Sequence, residues 1–146
     1  MGGRSPSGAS IAVNSYYFER GGRSWFPVSG EFHYSRCDPR DWRDELLKVK
    51  ECGVGIVSTY VFWNHHEEER GAFDWAGRKD LRRFVQACGE LGLWCIVRIG
   101  PWSHGEARNG GFPDWLYGQP FALRSNDPGY LGLVGRLYGE IGAQLR

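Results

Sequence analysis

Strand-like and helix-like patterns of hydrophobic positions alternate along the chain. Residues 11–19 and 24–32 have strand character and are joined by Arg-Gly-Gly-Arg at 20–23, which predicts a β-hairpin. Runs of apolar and β-branched residues at 55–61 and 93–99 predict two further strands. The 93–99 run is interrupted by a single arginine, so we expect this strand to be buried on both faces.

Three segments have apolar residues at helical spacing, which predicts helices over residues 38–52, 78–91 and 127–145. The first and third segments begin with Asp38 and Asp127, each followed by proline. This pair predicts an N-cap and a proline at the first helical position. The elements therefore follow the order strand, helix, strand, helix, strand, helix after a β-hairpin, which favours an α/β fold with a parallel sheet.

Polar clusters follow the carboxyl ends of the three strands, where α/β sheets and (β/α)8 barrels place their active sites. We expect about the first three βα units of a partial (β/α)8 TIM barrel, preceded by a short β-hairpin and truncated before the fourth strand. The rest of the barrel would be needed for a closed fold. Residues 1–10 are rich in Gly, Ser and Pro and are expected to be flexible. Residues 11–146 would form one catalytic-type domain.

Composition narrows the possible partners. The net charge is +1, from 18 basic and 17 acidic residues that are mixed along the chain. This balance predicts no basic patch that would bind nucleic acid or an anionic membrane surface. No stretch approaches the ~20 apolar residues of a membrane span, and the N-terminus lacks the apolar segment of a secretory signal. These features favour a cytoplasmic location, and the spacing of the 4 cysteines predicts no metal site.

Aromatic residues are abundant, with 7 Trp, 7 Tyr and 8 Phe, and many lie beside polar residues. Sugars present C–H groups to aromatic faces and hydroxyls to carboxylates and amides, so such a mixture suits a carbohydrate ligand. Tyr60 is the clearest candidate because its hydroxyl lies at a predicted strand end. We expect Trp63 and Trp115 to pack beneath long loops.

Charged residues near the strand ends could form a supporting ion pair or bind a metal ion. Arg98 lies inside an apolar strand and needs a carboxylate partner, for which Glu106 and Glu67 are the candidates. A metal-dependent barrel enzyme would instead use His65, His66, His104 and Glu106. Adjacent histidines in a strand-end loop rarely bind one ion, and no HxH or HExxH spacing occurs, so no metal or other cofactor is expected.

Four motifs occur in one order and spacing: SGEFHYSR at 29–36, TYVFWNHHE at 59–67, RIGPWSHGE at 98–106 and GGFPDWL at 110–116. Together they resemble the N-terminal part of the catalytic domain of glycoside hydrolase family 35, the β-galactosidases. The resemblance covers about residues 11–146. It implies a (β/α)8 barrel, a β-galactoside substrate, and retaining hydrolysis of terminal β-D-galactosyl residues by two glutamates without a cofactor.

The resemblance also implies roles for individual residues. Tyr60 matches a family tyrosine that contacts galactose, and Glu106 matches a glutamate that binds galactose hydroxyls. Gly105 would contact the sugar through its backbone, and His104 fills a position that is often Asn or Cys in relatives. The supporting positions are Glu67, Arg98, Trp102 and Asn109.

The two catalytic glutamates have no counterpart in this chain. In the family the acid/base lies in an Asn-Glu motif on the fourth strand and the nucleophile on the seventh, and both positions lie beyond Arg146. We therefore expect an inactive fragment that carries part of the galactose subsite. A non-catalytic carbohydrate-binding module and the metal-dependent enzyme remain as alternatives.

Overall fold

A small antiparallel sheet forms the start of the chain in the computed structural model, which describes residues 1–5 and 8–146. Its four strands are paired in the order β1-β2-β3-β4. The predicted hairpin turn is confirmed, because Arg20 pairs with Arg23 around Gly21 and Gly22, which both have positive φ. The strands are β1 (Gly2–Arg4), β2 (Ser10–Val13), β3 (Phe18–Arg20) and β4 (Arg23–Trp25).

The two long strands predicted for the hairpin are each divided in the structure. The Asn14 side-chain carbonyl accepts the backbone N–H groups of Tyr16 and Tyr17 at 2.8 and 3.0 Å, and this local turn separates β2 from β3. Pro27 lies in the break after β4, where it has no N–H to donate to a ladder. Residues 2–4 pair with β2, although the composition predicted a loose segment there. Residues 6 and 7, which the same prediction covers, lie outside the described residues.

The predicted parallel sheet is present and has three strands in the order β5-β6-β7. Both strand pairs are parallel, and a helix follows each strand, so the α/β alternation is confirmed. The strands are β5 (Ser29–Glu31), β6 (Ile56–Tyr60) and β7 (Trp94–Arg98). The helices are α1 (Trp42–Glu51), α2 (Trp63–His66), α3 (Leu81–Glu90) and α4 (Pro128–Leu145).

Of the two N-caps predicted at Asp-Pro pairs, one is confirmed and the other is wrong. Asp127 caps α4 by accepting the Gly129 N–H at 2.8 Å, as predicted. Asp38 does not cap α1, because its carboxylate accepts the backbone N–H of Arg40 at 2.9 Å and forms a local turn. Helix α1 therefore begins four residues after the predicted cap, at Trp42.

The helices cover one face of the parallel sheet. Val57 of β6 is fully buried in the core with Leu46 of α1 and Phe84 of α3. On the opposite face Ile96 of β7 is 47% exposed, so the prediction that this strand is buried on both faces is wrong. Strand β7 lies at the edge of the sheet, and only its core-facing residues are covered by helices. Within the described residues, no helix has the length and apolar character needed to cross a bilayer.

The small sheet packs against the amino end of the parallel strands. The Trp25 ring lies 5.9 Å from the ring of Trp94, the first residue of β7. The Arg20 guanidinium lies over the same ring, 5.2 Å from its centroid. The carboxyl ends of the strands, where the polar clusters lie, point away from this contact.

Candidate functional site

Tyr60, at the carboxyl end of β6, lies directly against Arg98. The two residues are paired across β6 and β7, and the Arg98 guanidinium lies 3.5 Å from the centroid of the Tyr60 ring. Glu31 of β5 forms an ion pair with Arg98. The predicted partners of Arg98, Glu106 and Glu67, are therefore wrong. Glu31 pairs with Ser58, two residues before Tyr60 on the same face of the sheet, and the spacing along one chain does not reveal that proximity to Arg98.

His33, which follows β5, borders the same aromatic ring. Its ring lies 5.8 Å from Tyr60 and 5.4 Å from Phe62, and its Nε2 atom is 3.6 Å from Glu31. Burial and the Arg36 charge lower the pKa of His33, and the negative charge of Glu106 acts in the opposite direction.

Gly105 packs over the two aromatic side chains at the end of β6. A Cβ added to Gly105 would lie 2.8 Å from Phe62 and 3.0 Å from Tyr60. The Arg36 guanidinium donates to the Gly105 carbonyl, which fixes the backbone there. Glu106 follows with a φ of 54° and an exposed side chain. The structure thus places the Gly105 backbone against the Tyr60 ring, and Glu106 is the next residue of the same loop.

The Gly105→Ala variant is expected to lose about 1–3 kcal/mol of its free energy of unfolding, because the new methyl group overlaps two ring edges. Urea unfolding would measure this loss, and near-UV circular dichroism would report displaced aromatic rings. Gly89→Ala is the matched control, since an added Cβ meets nothing within 4 Å in the last turn of α3. That variant should be neutral or slightly more stable. Equal stabilities for the two variants would contradict the proposed close packing.

Other predicted residues on the loop after β7 lie to one side of Tyr60. Trp102 is 37% exposed, and its ring is perpendicular to that of His104 at 5.5 Å. The Arg124 guanidinium covers the Trp102 ring at 4.8 Å. Asn109 donates from its side-chain amide to the Asp114 carboxylate at 2.8 Å, so it stabilises the loop itself.

Glu67 is fully buried and joins the segment after β6 to α4. Its carboxylate accepts the Trp63 indole N–H at 2.6 Å and the Gly71 N–H at 2.7 Å. It also forms an ion pair with Arg136 of α4. Arg136 was missed because it lies on the polar side of α4 and no local pattern marks it. These contacts make Glu67 a structural residue that supports the loop after β6.

The adjacent histidines have different environments. The Nδ1–H of His66 donates to the Asp74 carbonyl at 3.0 Å, so its Nε2 accepts from the Tyr34 hydroxyl at 2.6 Å. Burial lowers the pKa of His66 to about 4 and raises that of Tyr34. Across residues 1–5 and 8–146, no three His, Cys, Asp or Glu side chains gather as a metal-binding group. The arrangement required by the metal-dependent alternative, with His65 and His66 beside His104, is not formed.

The chain matches one protein family over most of its length. Residues 17–146 match the family model described as glycosyl hydrolases family 35. The chain is 47% identical to human beta-galactosidase-1-like protein 2 over 106 residues, which are 72% of the chain and 17% of that protein. It is 40% identical to the beta-galactosidase of Canis lupus familiaris over 125 residues, which are 85% of the chain and 19% of that protein.

The chain is also similar in sequence to a mouse protein and in fold to a solved structure. Beta-galactosidase-1-like protein 3 of Mus musculus is 37% identical over 131 residues, which are 89% of the chain and 20% of the relative. The chain thus spans about a fifth of the length of these curated relatives. The structure of exo-beta-1,4-mannosidase Op5Man5 from Opitutaceae bacterium strain TAV5 superposes with a TM-score of 0.65 at 20% identity, over 98% of this chain and 24% of that one. At this identity the likeness shows the α/β fold alone.

Proposed function

Because the chain belongs to glycosyl hydrolase family 35, we propose that it forms the galactose-binding part of a retaining β-galactosidase active site. Residues 11–146 would be the N-terminal part of a (β/α)8 catalytic domain and would supply about its first three βα units. Tyr60, Gly105 and Glu106 contact the sugar, with His104 at the rim. Support comes from Glu67, Arg98, Trp102 and Asn109.

The observation that carries this proposal is the contact between Tyr60 and Gly105 at the carboxyl end of β6. A phenol ring lies against a backbone segment there, and the exposed side chain of Glu106 follows directly along the chain. The Tyr60 hydroxyl and the Glu106 carboxylate suit the hydroxyl groups of galactose. The Arg98 guanidinium packs on Tyr60 and restricts its ring to one orientation, which lowers the entropic cost of binding.

The chemical step requires more carboxylates than this site offers. Retaining hydrolysis uses two carboxyl groups about 5–5.5 Å apart, one as acid/base and one as nucleophile. Glu31 is paired with Arg98, and Glu106 is assigned to sugar hydroxyls. In this proposal the two reacting glutamates come from other strands of the barrel, and the 146-residue chain binds galactose without cleaving galactosides.

Galactose titration of the 146-residue chain, followed by calorimetry or NMR, tests the proposal. Tyr60→Phe and Glu106→Gln are each expected to weaken galactose binding about tenfold or more, because each removes a hydrogen bond or charge at the sugar. Glu90→Gln is the control, since Glu90 is exposed at the end of α3 and lies outside the four motifs. Absence of galactose binding, or wild-type affinity in both site variants, would contradict the proposal. Turnover of nitrophenyl β-galactoside by this chain would overturn the assignment of the reacting glutamates.

A further inference from the structure

We infer that Arg36 is a positioning residue for the loop that carries Glu106. Its guanidinium holds the peptide between Gly105 and Glu106 in the orientation that presents the Glu106 side chain to the sugar. The inference rests on the function proposed above and adds a residue that acts through Glu106 rather than on the sugar itself. Arg36 ends the short 3-10 turn at Tyr34–Arg36, directly after β5, and lies 69 residues before Gly105 in the chain.

The backbone of residues 104–106 is hydrogen-bonded to the rest of the protein at one point. Among the described residues, the Arg36 guanidinium is the only group that forms a hydrogen bond with this stretch. The flanking positions are tied within the loop, because Ser103 donates its N–H to the Gly110 carbonyl at 2.7 Å and Gly110 donates to the Ala107 carbonyl at 3.1 Å. The orientation of the middle of the loop therefore depends on a single hydrogen bond.

The backbone conformation of Glu106 needs support from outside the loop. Its φ of 54° lies in the left-handed region, which is unfavourable for a residue with a Cβ atom. The preceding peptide is trans, so its carbonyl and its N–H point in opposite directions. Because Arg36 holds the Gly105 carbonyl, the Glu106 N–H points away from Arg36. Rotation of this peptide would change the φ of Glu106 and with it the direction of its side chain.

The geometry of a guanidinium suits this task better than that of an ammonium group. Arg36 lies over the Phe62 ring, 5.3 Å from its centroid, while a terminal N–H donates to the Gly105 carbonyl. Stacking of the planar group on the ring fixes the direction of its donors, which a lysine does not achieve. The turn that carries Arg36 is itself anchored, since Tyr34 is fully buried and its carbonyl accepts the Trp42 indole N–H at 3.1 Å.

Galactose titration of Arg36 variants of the 146-residue chain tests the inference. Arg36→Ala should weaken galactose binding about tenfold, because Glu106 is no longer held towards the sugar. Arg36→Lys should recover little of this loss, since it keeps the charge and loses the planar donor. Arg36 is exposed, so urea unfolding should show that both variants still fold. Arg43→Ala is the control on the surface of α1 and should keep the affinity within about twofold.

A double-mutant cycle separates positioning from direct binding. If Arg36 acts through Glu106, Arg36→Ala should weaken galactose binding less than about twofold in the Glu106→Ala background. A general loss of structure would weaken binding equally in both backgrounds. Additive losses, or wild-type affinity in Arg36→Ala, would therefore overturn the inference.

NMR relaxation of backbone amides gives a readout that does not depend on the sugar. The order parameter of the Glu106 amide should fall from about 0.85, typical of a rigid backbone, to below about 0.6 in Arg36→Ala, and it should be unchanged in Arg43→Ala. An unchanged order parameter in Arg36→Ala would overturn the inference even if galactose binds. A fall in the order parameter without galactose binding by the wild-type chain would support the positioning of the loop and contradict the proposed function. If neither is observed, both proposals fail.

Discussion

The Glu67→Ala variant is expected to lose about 3–5 kcal/mol of its free energy of unfolding, a range typical of breaking a buried ion pair. Glu67 is fully buried, and its carboxylate accepts hydrogen bonds from Trp63 and Gly71 and pairs with Arg136. Truncation leaves the indole and backbone N–H groups without an acceptor and opens a cavity between α2 and α4. Urea or thermal unfolding followed by circular dichroism would measure the loss.

Glu68→Ala provides a matched control at the next position. The Glu68 side chain is 69% exposed and forms a surface ion pair with Lys79, so its loss should change the free energy of unfolding by less than about 1 kcal/mol. Glu67→Gln should lie between the two alanine variants, because an amide oxygen can still accept the N–H groups and only the charge is lost. Similar losses for Glu67→Ala and Glu68→Ala would show that the buried network does not stabilise the fold.

Acidification from pH 7 to pH 4.5 is expected to lower the free energy of unfolding by about 2–3 kcal/mol through His66. Burial holds the folded-state pKa of His66 at about 4, against 6.5 for an ordinary histidine. The unfolded chain therefore takes up a proton as the pH falls below 6.5, while the folded chain does not until about pH 4. Stability is present above the unfolded pKa and is lost as the pH falls towards the folded pKa. His33 and His65, whose pKa values are also lowered, act in the same direction.

The pH window separates the histidines from the carboxylates. The pKa of Asp74 is lowered below its ordinary 3.8 by hydrogen bonds from Ala76 and Lys79, so its contribution is lost only below that value. His66→Gln should flatten the decline between pH 7 and pH 4.5, because its amide can serve Tyr34 and Asp74 without titrating. Unfolding curves at several pH values would test this, and an unchanged slope in the variant would exclude His66 as the cause.

Sequence periodicity predicted the elements of the parallel sheet because each depends on local residues. Helix α4 begins at Pro128 after the Asp127 cap, as predicted from that pair alone. The same two-residue signal was wrong at Asp38, because its carboxylate is used by Arg40 two residues later. The first hairpin strand was overextended because alternation continues through Asn14, where a side-chain hydrogen bond turns the backbone. Local competition of this kind is invisible to hydrophobic patterning.

The sequence motifs named candidate site residues, but they did not predict the contacts that these residues make. The motifs named Tyr60, Gly105 and Glu106, and the structure shows Gly105 packed against Tyr60. The partner of Arg98 was wrong because the choice of Glu31 depends on the register of three strands. Arg136 was missed because 69 residues separate it from Glu67. Contacts between distant segments follow from packing, and a single sequence contains no direct record of them.

The contacts that join Glu31, Arg98 and Tyr60 have a thermodynamic consequence. One residue comes from each parallel strand, so the orientation of Tyr60 depends on all three strands being paired. A ligand that binds the oriented ring binds only the folded sheet, and it adds RT ln(1 + [L]/Kd) to the free energy of unfolding, about 2.7 kcal/mol at one hundred times Kd. Binding of a sugar at Tyr60 would therefore slow the hydrogen exchange of backbone amides in all three strands of the sheet.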